Sequence, residues 1–199
     1  ADGSLVLGWR YINGVWYYLD GNNTEHPGLM ADNCVKNIGG SNFYFAAGGA
    51  MRTGWLLYPE GWYYADSSGA QAIGWRYIHN TWYYFDGNGQ LVNGWKSIGG
   101  KWYFFNYDYR MISDGWYNIN GVEYYFLSSG AMADGWAKVN GEWYYCPGGK
   151  EYNGWLSSGG NWYYISESQM VYGGIYIIDN RYYSFANNGV WLGYANPPQ

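Results

Sequence analysis

A Gly-Trp dipeptide returns along this chain at nearly constant spacing, and that regularity restricts the fold more than any other feature. The phrase GWRYINGVWYYLDGN (Gly8 to Asn22) recurs as GWRYIHNTWYYFDGN (Gly74 to Asn88). Looser copies read GWKSIGGKWYFFN, GWYNINGVEYYFL, GWAKVNGEWYYCP and GWLSSGGNWYYIS. Aligned on the Trp, the equivalent positions are Trp9, Cys34, Trp55, Trp75, Trp95, Trp116, Trp136, Trp155, Ile175 and Tyr194, at spacings of 25, 21, 20, 20, 21, 20, 19, 20 and 19. A unit this short cannot bury its own apolar face, so successive copies must stack on one another. Residues 1–199 therefore read as a single repeat module of nine units plus a closing fragment. The chain opens in mid-unit, since Asp2-Gly3 through Leu7 matches the tail that precedes each Gly-Trp.

Within each unit a strand begins at Gly-Trp. A tight turn follows (Asn13-Gly14, Gly99-Gly100, Asn120-Gly121, Asn140-Gly141), and a second strand carries Trp-Tyr-Tyr. Asn-Gly between aromatic runs is the strongest short-range hairpin signal, because both residues tolerate positive φ. A second turn near Asp-Gly-Asn-Gly or Ser-Ser-Gly leads to the next unit. Aromatic residues make up 24% of the chain and Gly numbers 32, whereas Ile, Leu and Val are few, so the core must be built largely from rings. A lone hairpin is marginal in water. The expected fold is all-β, a β-solenoid of stacked hairpins; a globular sandwich, the competing architecture, does not repeat its sequence at this period.

Thirteen of the 14 Trp fall at two places in the unit, and Trp191 stands elsewhere. Six units keep both, seven residues apart: Trp9/Trp16, Trp55/Trp62, Trp75/Trp82, Trp95/Trp102, Trp136/Trp143 and Trp155/Trp162. Residues so spaced meet on adjacent strands of a short-turned hairpin. Alternation puts Trp16 and Tyr18 on one face of the second strand and Tyr17 on the other. All five Met (Met30, Met51, Met111, Met132, Met170) occupy one repeat position, shortly before the next Gly-Trp. Rings and thioethers at repeat spacing are most often core. Paired Trp beside Tyr and Met also make an aromatic box for a quaternary ammonium, each ring face contributing about 0.5–2 kcal/mol. The same platforms suit stacking on sugar rings, so the residues alone leave the ligand open.

The units resemble the cell-wall-binding repeats of Gram-positive bacteria, whose pattern is Gly-Trp, a turn, Trp-Tyr-Tyr and then Gly-x-Met-x-Thr-Gly-Trp. Gly49-Ala-Met51-Arg-Thr-Gly-Trp55 reproduces that ending, and Gly130-Ala-Met132-Ala-Asp-Gly-Trp136 nearly so. The resemblance implies ligand sites between consecutive units, formed by two Trp of one and a Tyr of the next, with a Met nearby. In choline-binding members these hold the protein to phosphocholine on teichoic acids; related repeats bind α-glucans or other glycans. Carried onto this chain, the best sites are Trp95, Trp102, Tyr125 and Met132, and Trp136, Trp143, Tyr164 and Met170. Next come Trp9, Trp16, Tyr44 and Met51, then Trp55, Trp62 and Tyr84, then Trp75 and Trp82 with Phe104. Glu123 replaces a second Trp, Cys34 and Ile175 replace first Trp residues, and Ser184 replaces a Tyr. The first unit carries an insertion, Asn22 to Pro27. Gln71 and Glu151 at the Met position leave room for sugar hydroxyls.

A formal charge of −5 with scattered cations argues against nucleic acid. No apolar run of about 18 residues exists to span a membrane. The chain reads as a mature fragment or a piece of a secreted surface protein, with any targeting signal outside it. Cys34 and Cys146 are too far apart in a linear stack to pair, and both read as buried apolar fillers. His26 and His79 fit solvated turns. Asp20, Asp66 and Asp86 recur after the second strand and suit turn caps better than acid–base catalysis. No nucleophile elbow, phosphate loop or metal-ligand cluster appears, and no cofactor is implied. The expected function is non-catalytic wall attachment through choline-bearing teichoic acid. The alternatives are polysaccharide binding and a structural or adhesive spacer; any catalysis belongs to a partner domain.

Overall fold

The computed structural model describes residues 5–197; Asp2 and Gly3 of the opening tail lie outside them. Nine antiparallel hairpins follow one another. They pair Gly8–Ile12 with Val15–Asp20, Cys34–Ile38 with Ser41–Phe45, Gly54–Tyr58 with Gly61–Ala65, and Gly74–Ile78 with Thr81–Phe85. The fifth to seventh pair Gly94–Ile98 with Lys101–Phe105, Gly115–Ile119 with Val122–Phe126, and Gly135–Val139 with Glu142–Cys146. The last two pair Gly154–Ser158 with Asn161–Ser166 and Gly174–Ile178 with Arg181–Phe185, and Trp191–Tyr194 adds a closing strand. A single 3-10 turn, Pro147–Gly149, is the one helical piece among the described residues.

Eight of the nine hairpins turn through two residues in the left-handed region, as at Asn13 (φ 50°) and Gly14 (φ 86°); the third turns through Pro59 and Glu60, which do not adopt it. The left-handed dihedrals match the twist of the flanking strands and fix the register. In that register Trp9 lies opposite Tyr18 and Tyr11 opposite Trp16, so the two Trp of a unit are diagonal neighbours. The second unit corrects the sequence alignment by one residue. Cys34 pairs with Phe45 and Val35 with Tyr44, so Cys34 holds the Gly position and Val35 the Trp position.

After each hairpin the chain makes a capped turn and returns. Asp66 Oδ1 accepts the Ser68 and Ala70 N–H groups (2.8 and 3.3 Å), and Asp86 Oδ1 accepts those of Asn88 and Gln90 (both 2.9 Å). Asp20 caps Asn22 (3.0 Å) and pairs with Lys36 at 2.5 Å. The returning residue bridges the end of its own hairpin, as in Phe45↔Met51, Phe85↔Leu91 and Phe126↔Met132. It also ties back to the preceding one: Met51 N–H donates to Trp16 O (2.8 Å), Leu91 to Trp62 O (2.8 Å) and Met132 to Trp102 O (2.7 Å). Backbone bonds of this kind satisfy donors that an isolated hairpin would leave in water, and they set the stacking distance.

One repeat position supplies the core. Phe45, Phe85, Phe105, Phe126 and Phe185, with Ala65, Cys146 and Ile165 at the same place, are all buried. The described residues fall into two compact units. One comprises the residues up to Asn93 with Tyr107–Arg110, the other Gly94–Asn106 with the residues from Met111 onward. Within each, consecutive hairpins repeat in a solenoid-like arrangement. Both Cys are free thiols; Cys146 is buried as expected, whereas Cys34 is only half-buried, at a hairpin start where neighbouring units have Gly.

Candidate functional site: aromatic corners between hairpins

The two Trp of a unit meet edge to face with little variation. Centroids are 6.3 Å apart and planes 89° in Trp9/Trp16, Trp55/Trp62 and Trp136/Trp143, and 6.3 Å and 84° in Trp95/Trp102. Trp75/Trp82 matches them at 6.1 Å and 89°. The diagonal placement causes this: each indole grows from a different strand and leans toward the other across the pleat. The first Trp is half-buried, whereas Trp16, Trp102 and Trp143 are exposed at 44, 48 and 41%, which leaves ring faces accessible.

A third ring comes from the next hairpin and closes a corner. Phe43 approaches Trp9 (4.8 Å), Tyr83 approaches Trp55 (5.0 Å), Tyr124 approaches Trp95 (4.9 Å) and Tyr163 approaches Trp136 (5.2 Å), at 65 to 71° between planes. The rings expected there were Tyr44, Tyr84, Phe104, Tyr125 and Tyr164, each one residue further on, and the structure places those elsewhere. Tyr84, Phe104 and Tyr164 face the first Trp of their own hairpins, Trp75, Trp95 and Trp155, at 5.1 to 5.2 Å. Tyr125 likewise faces Trp116 and is buried with Ala133, Ala137 and Cys146. A residue directly opposite its own hairpin's Trp shares that Trp's face and cannot reach backward. Its neighbour on the other face can.

Among the described residues, four such corners border open cavities. That of Trp9, Trp16 and Phe43 is floored by Met51 and rimmed by Ser68, with a volume of about 290 Å³. Leu91 floors the cavity of Trp55, Trp62 and Tyr83, and Asp108 and Tyr109 rim it (about 330 Å³). Met132 lies under Trp95, Trp102 and Tyr124, with Pro147, Gly148 and Lys150 at the edge (about 510 Å³). Met170 lies under Trp136, Trp143 and Tyr163, with Asn188 at the edge (about 330 Å³). Three consecutive units thus build each corner: two Trp, then a ring and the floor, then a turn. The rim residues were not anticipated from sequence, although their constant distance from Gly-Trp carries the signal.

The Met side chains are held from behind. Met51 packs on Gly69, Met132 on Gly149 and Met170 on Gly189, in each case so tightly that an added Cβ would lie within 2.7 Å of the thioether. The third hairpin repeats the pattern with Gln71 on Gly89, and there the gap is filled. Asn42 Nδ2 donates to Gln71 Oε1 (2.8 Å), while Gln71 Nε2 donates to Tyr44 Oη (2.6 Å) and Asn88 O (2.8 Å). With Val35 and Asn42 in place of the two Trp, this polar plug occupies the space between the second and third hairpins. Burial, with Tyr63 and Tyr58 adding to it, holds the Tyr44 phenol well above its ordinary pKa. Trp191, which the repeat alignment left outside both Trp positions, takes the Met position of the ninth unit. It pairs with Phe185 and lies 5.6 Å from Trp155.

Among the described residues, no group of His, Cys, Asp and Glu is placed to hold a metal ion, and no helix is long and apolar enough to cross a membrane. Stacked aromatic corners on a hairpin repeat define a class of protein, the modular ligand-binding repeats. The family follows from the matches. The cell wall binding repeat matches residues 8–22, 53–70, 73–91, 93–108 and 153–168, and the choline-binding repeat matches 113–147. Together these cover more than half of the chain, and it belongs to the cell-wall-binding, choline-binding repeat family. The matches pass over the second and ninth hairpins, where Val35 and Ile175 stand in place of Trp.

Solved structures from Streptococcus pneumoniae resemble it along nearly its whole length. Choline binding protein F is 31% identical over 94% of this chain and 58% of its own, with a TM-score of 0.64. The choline-binding domain of CbpL is 28% identical over 96% of this chain and 100% of its own (TM-score 0.63). The modular autolysin LytC, in complex with a synthetic peptidoglycan ligand, is 28% identical over 94% of this chain and 42% of its own (TM-score 0.61). The chain thus spans somewhat more than half the length of choline binding protein F. No curated protein matches it.

Proposed function

We propose that this chain is a non-catalytic attachment module that binds the choline of teichoic acids in the corners between hairpins. In this reading it holds a larger secreted protein to the bacterial surface, and all its hairpins serve as one module. The supporting observation is the corner itself, in which the first Trp is inclined at 65 to 89° to the other two rings over a thioether or Leu floor, found at four places among the described residues. Quadrupolar faces so arranged attract a cation too large and too weakly hydrated to need hydrogen bonds. A few such contacts give millimolar affinity, near −4 kcal/mol. On a surface displaying the ligand densely, further contacts become intramolecular, raising avidity by about 10²–10⁴.

The sugar-binding reading has less support. Of the two polar residues that suggested it, Gln71 and Glu151, Gln71 spends its amide on Tyr44, Asn42 and Asn88. Thermal melts separate the possibilities. Choline at ten times its Kd stabilises by about 1.4 kcal/mol per occupied corner, a shift of several degrees for several corners. A comparable shift with dextran and none with choline would move the assignment to glucans. No shift with either would leave a structural spacer.

A further inference from the structure

The four corners share their rings but not their rims. Ser68 gives one of them an uncharged edge and Asp108 gives another a carboxylate, whereas the corner of Trp95, Trp102 and Tyr124 has the Lys150 ammonium among its lining residues. Lys150 Nζ stands 6.0 Å from the Tyr124 ring centroid. The residue is exposed, but its backbone is fixed: Lys150 bridges Tyr124 and follows the Pro147–Gly149 turn, whose Gly148 N–H donates to Asp134 Oδ1 (2.8 Å). This corner is also the most spacious of the four, about 510 Å³ against 290 to 330 Å³.

A cation at the edge of a cation-binding corner is unfavourable for a bare quaternary ammonium. Like charges about 6 Å apart repel appreciably even near a protein surface. The same ammonium is favourable for a ligand that carries an anion beside its cation. We infer that Lys150 is a specificity-determining residue that makes this corner select phosphocholine over free choline. The quaternary ammonium lies against Trp95, Trp102 and Tyr124, and the phosphate, one two-carbon link away, meets Lys150 Nζ in a charge-assisted contact. The extra volume accommodates the larger headgroup. This rests on the choline reading above and adds a preference to one site.

Two methionines allow two corners to be read separately, because Met51 floors the corner with the neutral Ser68 rim and Met132 floors this one. Lys138, 5.8 Å from the Trp143 ring, makes the Met170 corner a poorer neutral reference. In the intact chain, with Met methyl groups labelled and Met132→Leu assigning the signal, choline and phosphocholine are titrated while the ε-methyl resonances are followed. Met132 should reach half-shift at about five- to tenfold lower phosphocholine than choline. Met51 should show a ratio near one, and Lys150→Gln should bring the Met132 ratio to the Met51 value. An equal ratio at both methionines in the unaltered chain overturns the inference. So does a Lys150→Gln chain that binds both ligands equally more tightly, which would make Lys150 merely a competing cation. If neither methionine responds to either ligand, the choline reading itself fails. Phosphatidylcholine vesicles distinguish the headgroup's source: co-sedimentation with them indicates a lipid, and response to soluble phosphocholine alone indicates a polymer-borne group.

Discussion

Trp95 and Tyr124, from consecutive hairpins, meet at 4.9 Å with their planes 71° apart. That contact forms the inner edge of the corner proposed to take choline, and the same geometry recurs at Trp9/Phe43, Trp55/Tyr83 and Trp136/Tyr163. Each pair joins one repeat to the next while leaving its outer ring faces open, so assembly of the stack and creation of the site are one event.

Tyr124 and its neighbour Tyr125 should separate binding from stability. Tyr124→Ala removes a corner wall and should weaken choline at that corner about tenfold, the equivalent of one ring face. Tyr125 is 7% exposed and stacks parallel to Tyr144 at 6.3 Å. Tyr125→Ala should cost roughly 3–5 kcal/mol in urea denaturation, as truncations of buried rings do. Reversed outcomes would put the ligand on the other face of the strand.

Attachment should decline in steps. Trp102→Ala removes one exposed wall from one corner, and the protein should still bind a choline-displaying matrix, eluting at a lower free choline concentration. Adding Trp16→Ala and then Trp143→Ala should lower that concentration further. Complete loss with Trp102→Ala alone is incompatible with several equivalent weak sites.

Gly130 should be among the least replaceable residues. Its φ is +80°, and a Cβ there would lie 2.3 Å from the Met111 sulfur. Gly130→Ala should destabilise by about 2–4 kcal/mol, combining left-handed strain with overpacking. Gly14→Ala, at φ +86° with nothing within 4 Å, carries the strain alone and should cost about 1 kcal/mol. Truncating Met111 alongside Gly130→Ala should recover the difference, a coupling that a double-mutant cycle measures.

The two thiols should react at very different rates. Burial pushes the Cys146 thiol up to about 11, leaving about one part in a thousand ionised at pH 8, and the residue is fully covered. A chromogenic disulfide reagent should modify Cys34 quickly in the native protein and Cys146 only on unfolding. Because the raised value belongs to the folded state, the stabilisation is intact below the ordinary thiol pKa. It is lost as pH rises toward 11, so Cys146→Ala should lessen alkaline sensitivity.

The hairpins and their stacking were legible because period, turn residues and ring placement all point the same way. Placing the third ring failed at Tyr44, Tyr84, Phe104, Tyr125 and Tyr164. The alternation that separates Tyr17 from Trp16 and Tyr18 already assigns the middle ring to the opposite face, but only the register shows that Tyr18 is spent on its own Trp9. Cys34 was misplaced by one residue because the longer first unit obscures the alignment, whereas the pairing of Val35 with Tyr44 is decided by backbone geometry. The rims escaped notice because Ser68, Lys150 and Asn188 share no residue type, only a location two units downstream.

The amide bridge at Gln71 separates the Trp9 corner from the Trp55 corner by one closed gap. A polymer engaging both must therefore present its ligands two repeats apart or have slack enough to skip one. On the proposed attachment reading, the closed gap acts as a ruler, favouring a polymer whose decorations match this spacing over one with them set at the wrong interval.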